Sequence, residues 1–251
     1  MKGCFITFEG GEGSGKSTQI RLLSDKLKQA GRTVLTTREP GGTPEAEIIR
    51  KILVTGDTDF ADTTETLLFF AARYEHVTKK ILPAVKEGQV VLSDRFADST
   101  MAYQGYGYGN NLVQQKLIKN LYQEVVGDFK PDLTILLDIP VEIGLNRSRR
   151  ADNTEQRFEG KELAFHERLR QAYLLLAKEE PERFVVIDAT QSVDVIHEQI
   201  MKAIEEIIGS EDAKCLRNEF DDIVMNGDVT QIEDLLLGYG LEMDYVEQLM
   251  L

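Results

Sequence analysis

The chain has 251 residues, a formal net charge of −14 and 42% hydrophobic residues. This length fits one α/β domain with a small appendage, and the apolar content suffices for a packed core. The acidic balance argues against nucleic acid or an anionic membrane as a non-specific partner. The sequence shows no run of 18 apolar residues and no signal-peptide pattern, and Cys4 and Cys215 are far apart. We therefore expect a reduced, cytoplasmic setting without a disulfide framework or a structural zinc site.

Short apolar runs alternate with longer amphipathic stretches along the first 208 residues. The runs predict strands at Gly3–Phe8, Thr33–Thr37, Val90–Ser93, Leu133–Leu137 and Phe184–Ile187. The stretches predict helices at Lys16–Ala30, Thr64–Lys86, Leu112–Val126, Val141–Arg150, Gly160–Glu180 and Val193–Ile208. Most runs are continuous rather than alternating, which indicates strands buried on both faces. We expect a doubly wound parallel α/β sheet that binds ligands at the carboxyl ends of its strands.

A glycine-rich segment follows the first strand. It matches the phosphate-binding pattern G-x-x-x-x-G-K-[ST] with the residues Gly10, Gly11, Glu12, Gly13, Ser14, Gly15, Lys16 and Ser17. The glycines let backbone N–H groups converge on phosphate oxygens, and the N-terminus of the next helix favours an anion. We expect Lys16 to meet the β- and γ-phosphates and Ser17 to ligate Mg²⁺, with Thr18 beside them. The pattern predicts a nucleoside triphosphate site and leaves the phosphate acceptor open.

Four further stretches carry candidate chemistry for that acceptor. They are REPGGT at 38–43, LLFFAAR at 67–73, DRF at 94–96 with STMAYQG at 99–105, and a cluster of Arg147, Arg149, Arg150 and Arg157. Phe69 and Arg73 lie one helical turn apart, so Phe69 could stack on a base whose edge Arg73 binds. A core phenylalanine beside a surface arginine is the alternative.

Charged residues also stand at the carboxyl ends of predicted strands. Asp94 is placed to hold Mg²⁺ or its water, and Arg95 to bind a phosphate. Asp138 is an equal candidate for the metal by position alone. The arginine cluster is either a solvated basic face or a clamp on the transferring phosphate, and the nearby phosphate loop favours the clamp.

Over residues 3–208 the chain resembles the thymidylate kinase family. The segments that carry the resemblance are GGEGSGKS, TREPGGT, LLFFAAR, SDRFADSTMAYQG and the arginines before RFE. The resemblance implies ATP-dependent phosphorylation of dTMP to dTDP, with Mg²⁺, on a P-loop kinase fold with a five-stranded parallel sheet. It also implies a homodimer. The phosphate loop has no arginine at its variable positions, which resembles the bacterial subgroup, whose lid supplies the catalytic arginine. The lid would be about 147–160, with Arg149 or Arg150 as that arginine and Arg157 as a second candidate.

The resemblance implies roles for residues at the phosphate end of dTMP. Glu12 would approach the sugar 3′-hydroxyl, and Glu39 would lie next to the magnesium and phosphate region. Arg50 and Arg95 would grip the acceptor phosphate. Together with Lys16 and the lid arginines, Glu12 and Arg95 form the expected catalytic set.

At the base end, the resemblance implies a pocket that reads thymine. Phe69 would stack on the ring, and Arg73 would bond its exocyclic oxygen. Thr100 and Gln104 would contact the base edge. Tyr103 would crowd the 2′ position of the sugar and so disfavour ribose.

The end of the chain differs from the rest in composition. Residues 210–251 contain eleven Asp or Glu and two Lys or Arg, a net charge of −9, with apolar residues at helical spacing. We expect a domain of residues 1–209 followed by a small acidic helical extension. The extension would cap the core, extend the dimer contact, or bind a protein partner. For the whole chain, another small-molecule P-loop kinase and a nucleotide-binding regulator acting through the extension are the alternatives.

Overall fold

The computed structural model describes residues 2–55, 59–109, 111–149 and 162–205, together with 207 and 209. The strands are β1 (Cys4–Glu9), β2 (Val34–Arg38), β3 (Val90–Asp94), β4 (Leu133–Asp138) and β5 (Phe184–Asp188). The first helices are α1 (Lys16–Gln29), α2 (Pro44–Val54), α3 (Asp62–His76), α4 (Leu82–Lys86) and α5 (Ala97–Thr100). They are followed by α6 (Leu112–Val125), α7 (Val141–Arg149), α8 (Leu163–Glu179) and a helix α9 over 193–205.

The five strands form one parallel sheet in the order β2-β3-β1-β4-β5. The predicted five-stranded parallel sheet is confirmed. Central strand β1 is buried along its whole length, as its continuous apolar run indicated. Phe8 of β1 stands opposite Asp94 of β3, so these two strands end side by side. The loop after β1 and the residues after β3 therefore meet at one edge of the sheet.

Two clusters of buried apolar side chains cover the sheet. In one cluster, Phe5 of β1 meets Phe96 edge to face, with ring centroids 5.0 Å apart. The other cluster joins α8 to the segment after α5, where the rings of Tyr103 and Phe165 lie 6.1 Å apart. Helix α8 is therefore packed directly against the segment that carries several predicted site residues.

The chain is helical throughout the predicted range Thr64–Lys86, but the segment is not α-helical along its whole length. Helix α3 ends at His76, a π-helical turn spans Val77–Ile81, and α4 continues from Leu82. Pro83 accounts for the interruption, because its nitrogen carries no hydrogen and its ring clashes with the carbonyl four residues earlier. A locally wider turn relieves both problems. A second π-helical turn, Met101–Gly107, follows α5 in a segment for which no helix was predicted.

The chain divides into two compact units, Gly3–Met201 and a second unit made of Met1–Lys2 with Lys202–Leu251. All five strands belong to the first unit. The predicted acidic extension, 210–251, lies outside the described residues. Within the described part of the chain, no helix combines the length and the apolar character needed to cross a bilayer.

A buried ion pair ties the start of β5 to helix α5. Arg183 donates to both carboxylate oxygens of Asp98, at 2.7 and 2.9 Å, and to the hydroxyl of Thr134 at 2.7 Å. Both charged side chains are almost fully buried. Removing one partner of such a pair strands the other charge away from water.

We predict that Arg183→Ala lowers the free energy of unfolding by about 3–5 kcal/mol, the usual cost of leaving a buried charge unpaired. Urea titration followed by circular dichroism measures this loss. The matched control is Lys79→Ala, because Lys79 forms only exposed ion pairs with Glu45 and Glu75 and its loss should leave the midpoint almost unchanged. Equal losses in the two variants would contradict the prediction.

Candidate active site

The loop between β1 and α1 has the backbone geometry that its glycines predicted. Gly13 has φ 67° and packs against the carbonyl of Gly144 in α7, so that a Cβ there would collide with that oxygen. The ammonium group of Lys16 turns back over the loop and donates to the carbonyl oxygens of Gly10 and Gly11, each at 3.1 Å. The lysine is therefore held over the loop by backbone carbonyls.

The two aspartates that were equal candidates for a metal differ in their contacts. Asp94 Oδ2 accepts a hydrogen bond from the hydroxyl of Ser17 at 3.0 Å, which brings the end of β3 to the phosphate loop. The two carboxylate oxygens of Asp138 accept hydrogen bonds from Nε and Nη2 of Arg170, at 2.7 and 2.8 Å. Asp94 thus lies with the loop serine, whereas Asp138 is engaged by an arginine of α8.

Arg95 follows β3 directly and has a backbone conformation that is rare outside glycine. Its φ is 71°, in the left-handed region, which costs a non-glycine residue about 1–2 kcal/mol. Two bonds stabilise it: the Arg95 N–H donates to Phe8 O at 3.0 Å, and the Ser93 hydroxyl donates to Arg95 O at 2.8 Å. The guanidinium reaches the phosphate loop, where Nη1 donates to Gly10 O at 3.1 Å.

Two predicted site residues, Arg95 and Tyr103, donate hydrogen bonds to the carboxylate of a third, Glu12. Arg95 Nη2 donates to Glu12 Oε1 at 3.0 Å, and the Tyr103 hydroxyl donates to the same oxygen at 2.8 Å. Burial raises the pKa of the Glu12 carboxyl, but the charges of Arg95 and Lys16 lower it, and the net direction is downward. Glu12 is therefore ionised near neutral pH and anchors both the arginine and the tyrosine.

A second predicted arginine, Arg73 of α3, is fully buried. Its Nε donates to Glu39 Oε2 at 2.8 Å, and its Nη2 donates to the hydroxyl of Thr100 at 2.9 Å. The guanidinium carbon lies 4.8 Å from the ring centroid of Phe70 and 5.2 Å from that of Phe96. Nη1 is buried and has no hydrogen-bond partner among the described residues. The alternative that Arg73 is a surface charge is wrong.

Glu39 supports Arg73 and also touches the end of β3. Its second oxygen lies 3.0 Å from His76 Nδ1, and the other ring nitrogen of His76 lies 2.7 Å from the hydroxyl of Thr37. Its backbone N–H donates to Asp94 O at 2.9 Å. The structure thus places the Glu39 side chain on Arg73 and its backbone beside the aspartate at the loop.

The other predicted base-side and phosphate-side residues occupy neighbouring positions. Phe69 is half-buried on α3, and the buried rings that contact Arg73 are those of Phe70 and Phe96. Gln104 is buried, and its amide donates to Glu65 at 2.9 Å. Arg50 is buried and donates to the carbonyl oxygen of Pro40 within the REPGGT loop.

The remaining predicted residues lie further from these contacts or outside the described chain. Thr18 is exposed in the first turn of α1, and Arg149 is exposed at the end of α7. Arg147 donates to the carbonyl oxygen of Ala189 at 2.8 Å. Arg150, Arg157 and most of the predicted lid, 147–160, lie outside the described residues. Ser14 is buried under the loop, with its hydroxyl 3.4 Å from Lys16 Nζ.

Sequence reasoning missed a polar group behind Arg95. Glu9, the last residue of β1, is completely buried and accepts bonds from Ser99 at 2.6 Å and from Tyr173 at 3.1 Å. A charged residue that ends an apolar strand was a usable signal for Glu9. Tyr173 gave none, because a tyrosine in the apolar pattern of α8 looks like ordinary core.

The sheet order and the phosphate loop that leads into α1 define a P-loop kinase. A family model described as thymidylate kinase matches residues 8–200. The thymidylate kinases of Caulobacter vibrioides and Magnetococcus marinus are each 51% identical, over 209 and 206 residues, which cover 83% and 82% of this chain and 99% and 97% of the relatives. A crystal structure of thymidylate kinase from Ehrlichia chaffeensis matches with a TM-score of 0.66 and 34% identity, over 82% of this chain and 99% of that one. The chain belongs to the thymidylate kinase family.

Glu9 yields a prediction about pH and stability. Burial, followed by the charge of Asp98, raises the pKa of Glu9 from 4.5 to about 7, while Arg95 opposes this shift. The folded chain therefore holds this proton more tightly than the unfolded chain. The resulting stabilisation is complete below pH 4.5 and is lost as the pH rises through 7.

We predict that the free energy of unfolding of the wild-type chain falls relative to that of Glu9→Gln between pH 5 and pH 8, because glutamine does not ionise. Urea titrations of both proteins at several pH values in this range measure the difference. A difference that stays constant across the range would show that Glu9 does not titrate there.

Proposed function

We propose that this chain transfers the γ-phosphoryl group of ATP to the phosphate of dTMP, giving ADP and dTDP. One observation carries the proposal: Lys16 and Arg95 donate to the same carbonyl oxygen, that of Gly10, each at 3.1 Å. In a P-loop kinase the lysine meets the donor phosphates. A second cation held against it is suited to a second phosphate group. Membership of the thymidylate kinase family supports dTMP as the molecule that carries it.

The proposed mechanism is a direct in-line transfer between two anions. The acceptor phosphate is already ionised near neutral pH, so no strong general base is needed, and catalysis depends on positioning and charge neutralisation. Burial, followed by the charge of the neighbouring Arg95, lowers the pKa of Lys16, while nearby carboxylates oppose this shift. Bound phosphates would offset the repulsion between the two cations. On the resemblance stated above, Glu12 would lie beside the sugar 3′-hydroxyl, and its hydrogen bonds from Arg95 and Tyr103 would hold it there.

We propose that Arg73 recognises the base. Its buried Nη1 needs an acceptor, and the exocyclic oxygen of thymine is one. Phe69 would stack on the ring, one helical turn from Arg73. Thr100 and Gln104 would contact the base edge, and both are buried with their polar groups bonded to Arg73 and Glu65.

We propose that Mg²⁺ binds at Ser17 and Asp94. Hydroxyl and carboxylate oxygens are the ligands that Mg²⁺ prefers, and these two lie 3.0 Å apart at the end of β3. When bound, the ion would neutralise charge on the β- and γ-phosphate oxygens of ATP. We assign the catalytic arginine of the donor side to Arg149 or Arg150, on the resemblance stated above.

We propose that the chain is a homodimer in the cytoplasm, with residues 1–209 as the kinase domain. A groove between α2, α3 and α6 is lined by apolar side chains, among them Ile49, Leu67, Tyr74, Leu121 and Val125. Leu67 and Tyr74 are 47% and 51% exposed, so they leave apolar surface for a second copy of the chain to cover. The acidic residues 210–251 would extend this contact, cap the core or bind a protein partner.

We predict that Leu67→Glu converts the dimer to a monomer at micromolar concentration, because it places a charge in the centre of the apolar groove. Light scattering coupled to size exclusion measures the mass, and circular dichroism checks that the fold persists. The control is Val195→Glu, since Val195 is 41% exposed on α9 and lies outside the groove. A wild-type chain that is monomeric, or a Leu67→Glu variant that stays dimeric, would contradict this assignment.

The acceptor is tested by an ADP-release assay with MgATP and dTMP, dUMP, dCMP, dGMP, AMP, UMP or shikimate. We predict that dTMP is preferred and that dUMP follows weakly, since burial of one methyl group contributes only about 1–3 kcal/mol. Lys16→Ala should lower turnover at least ~100-fold, as expected when a transition-state charge contact is lost.

Turnover of a different acceptor would refute the proposed base pocket and leave the phosphate loop intact. Folded protein that turns over no acceptor would favour a nucleotide-binding regulator instead. Repeating the assay on a chain that ends at Gly209 separates the kinase domain from the acidic extension. Unchanged activity, mass and stability in that chain would contradict both a capping and a dimer-extending role for the extension.

A further inference from the structure

Three polar side chains, two of them buried and one half-buried, lie behind Arg95 and have no part in the reaction proposed above. Glu9 ends β1, Ser99 belongs to α5, and Tyr173 is on α8. Glu9 and Tyr173 are 0% and 1% exposed. Side chains from three separate elements thus converge on the guanidinium of one residue at the end of β3.

The number of available protons limits the direction of the bonds in this group. Each hydroxyl carries one proton, and both lie against the same carboxylate oxygen, Glu9 Oε2, at 2.6 Å for Ser99 and 3.1 Å for Tyr173. The two hydroxyl oxygens also lie 2.8 Å from each other, so when Glu9 is ionised at least one proton points to the carboxylate and the other points to it or to the neighbouring hydroxyl. In either arrangement each hydroxyl keeps a lone pair for Arg95 Nη1, at 3.2 Å for Ser99 and 3.0 Å for Tyr173.

Glu9 also fixes the backbone next to Arg95. Its other oxygen, Oε1, accepts a hydrogen bond from the N–H of Phe96 at 2.8 Å. The residue that follows the left-handed Arg95 is therefore attached to the same carboxylate that orients the two hydroxyls. Main chain and side chain of Arg95 are both positioned relative to the end of β1.

These contacts leave one edge of the guanidinium unused. The described residues that bond Arg95 occupy Nη1 and one position on Nη2, and none of them bonds the side-chain Nε. Nε and Nη2 form the two-pronged edge that matches a phosphate or carboxylate. Because Gly10, Ser99 and Tyr173 accept from Nη1, the edge formed by Nε and Nη2 faces away from α8, the helix that carries Tyr173.

We propose that Tyr173 and Glu9 are positioning residues, which hold Nη1 of Arg95 so that its opposite edge binds the acceptor phosphate. This inference rests on the proposed function, in which Arg95 contacts the phosphate of dTMP. A free arginine side chain loses rotamer entropy when it binds, so one that the protein already holds forms its phosphate bonds at a lower entropic cost. Tyr173 acts through Arg95 and does not itself contact the phosphate.

The test compares Tyr173→Phe with Tyr122→Phe at pH 8, where Glu9 is ionised. Tyr173→Phe keeps the buried ring in the core and removes the hydroxyl alone. The control also loses a part-buried hydrogen bond, from the Tyr122 hydroxyl to Phe129 O at 2.6 Å. Tyr122 packs against both apolar clusters, but among the hydrogen bonds of the described residues it has none to Arg95, Glu9 or Tyr173. Calorimetry with dTMP and with thymidine separates binding of the phosphate from binding of the base.

We expect Tyr173→Phe to weaken dTMP binding about tenfold, the effect of one lost hydrogen bond to a charged group, and to leave thymidine binding within twofold. The KM for dTMP should rise, with the KM for ATP unchanged. Glu9→Gln should act in the same direction, and Tyr122→Phe should change none of these constants. In an Arg95→Ala background, Tyr173→Phe should have no further effect on dTMP binding, because the residue it positions is gone.

Equal losses for dTMP and thymidine in Tyr173→Phe would overturn the inference, since they would indicate a general structural role. Unchanged dTMP binding would overturn it as well. If Tyr173→Phe does not fold, Ser99→Ala and Glu9→Gln carry the same test. A wild-type chain that binds no dTMP at all would instead overturn the proposed function, which distinguishes the two failures.

Discussion

A guanidinium group removed from water requires an acceptor for nearly every N–H that it carries, and this requirement organises the candidate site. Near the ends of the parallel strands, Arg73 is buried and Arg95 is largely shielded, with 16% of its side chain exposed. Arg95 is held by Glu12 and by two hydroxyls that Glu9 orients, and Arg73 is held by Glu39 and Thr100. What the protein leaves unbonded, one edge of Arg95 and Nη1 of Arg73, would be available to the substrate in the proposed function.

The same requirement explains the local backbone at these positions. The left-handed conformation at Arg95 is unfavourable for a side chain with a Cβ, and it persists because Phe8, Ser93 and Glu9 hold the backbone on either side. A backbone in this conformation sends the side chain back across β1 towards the phosphate loop. There it shares the Gly10 carbonyl with Lys16, so two cations are held together before any phosphate binds. Both phosphates would stabilise a site that is otherwise self-repelling.

Much of this arrangement could be predicted from local sequence. Apolar runs, most of them continuous, predicted the strands of a parallel sheet, although the edge strands β2 and β5 are only partly buried. The pattern ending in Lys16-Ser17 predicted the phosphate loop. The spacing of Phe69 and Arg73 predicted that the two share a helix face towards a base. In the structure Phe69 is half-buried on α3, and Arg73 packs against the rings of Phe70 and Phe96. Pro83 was a visible signal for the π-helical turn after α3. The pairing of Glu9 with Tyr173 spans 164 residues, and no local pattern encodes such a contact.

The crystal structure of this chain with dTMP bound would test the account most directly. We predict that thymine places an exocyclic oxygen within hydrogen-bonding distance of Arg73 Nη1. We also predict that the phosphate binds the Nε and Nη2 edge of Arg95, while Nη1 keeps its hydrogen bonds to Tyr173 and Ser99. A base bound away from Arg73, or a phosphate that displaces Tyr173 from Nη1, would contradict it.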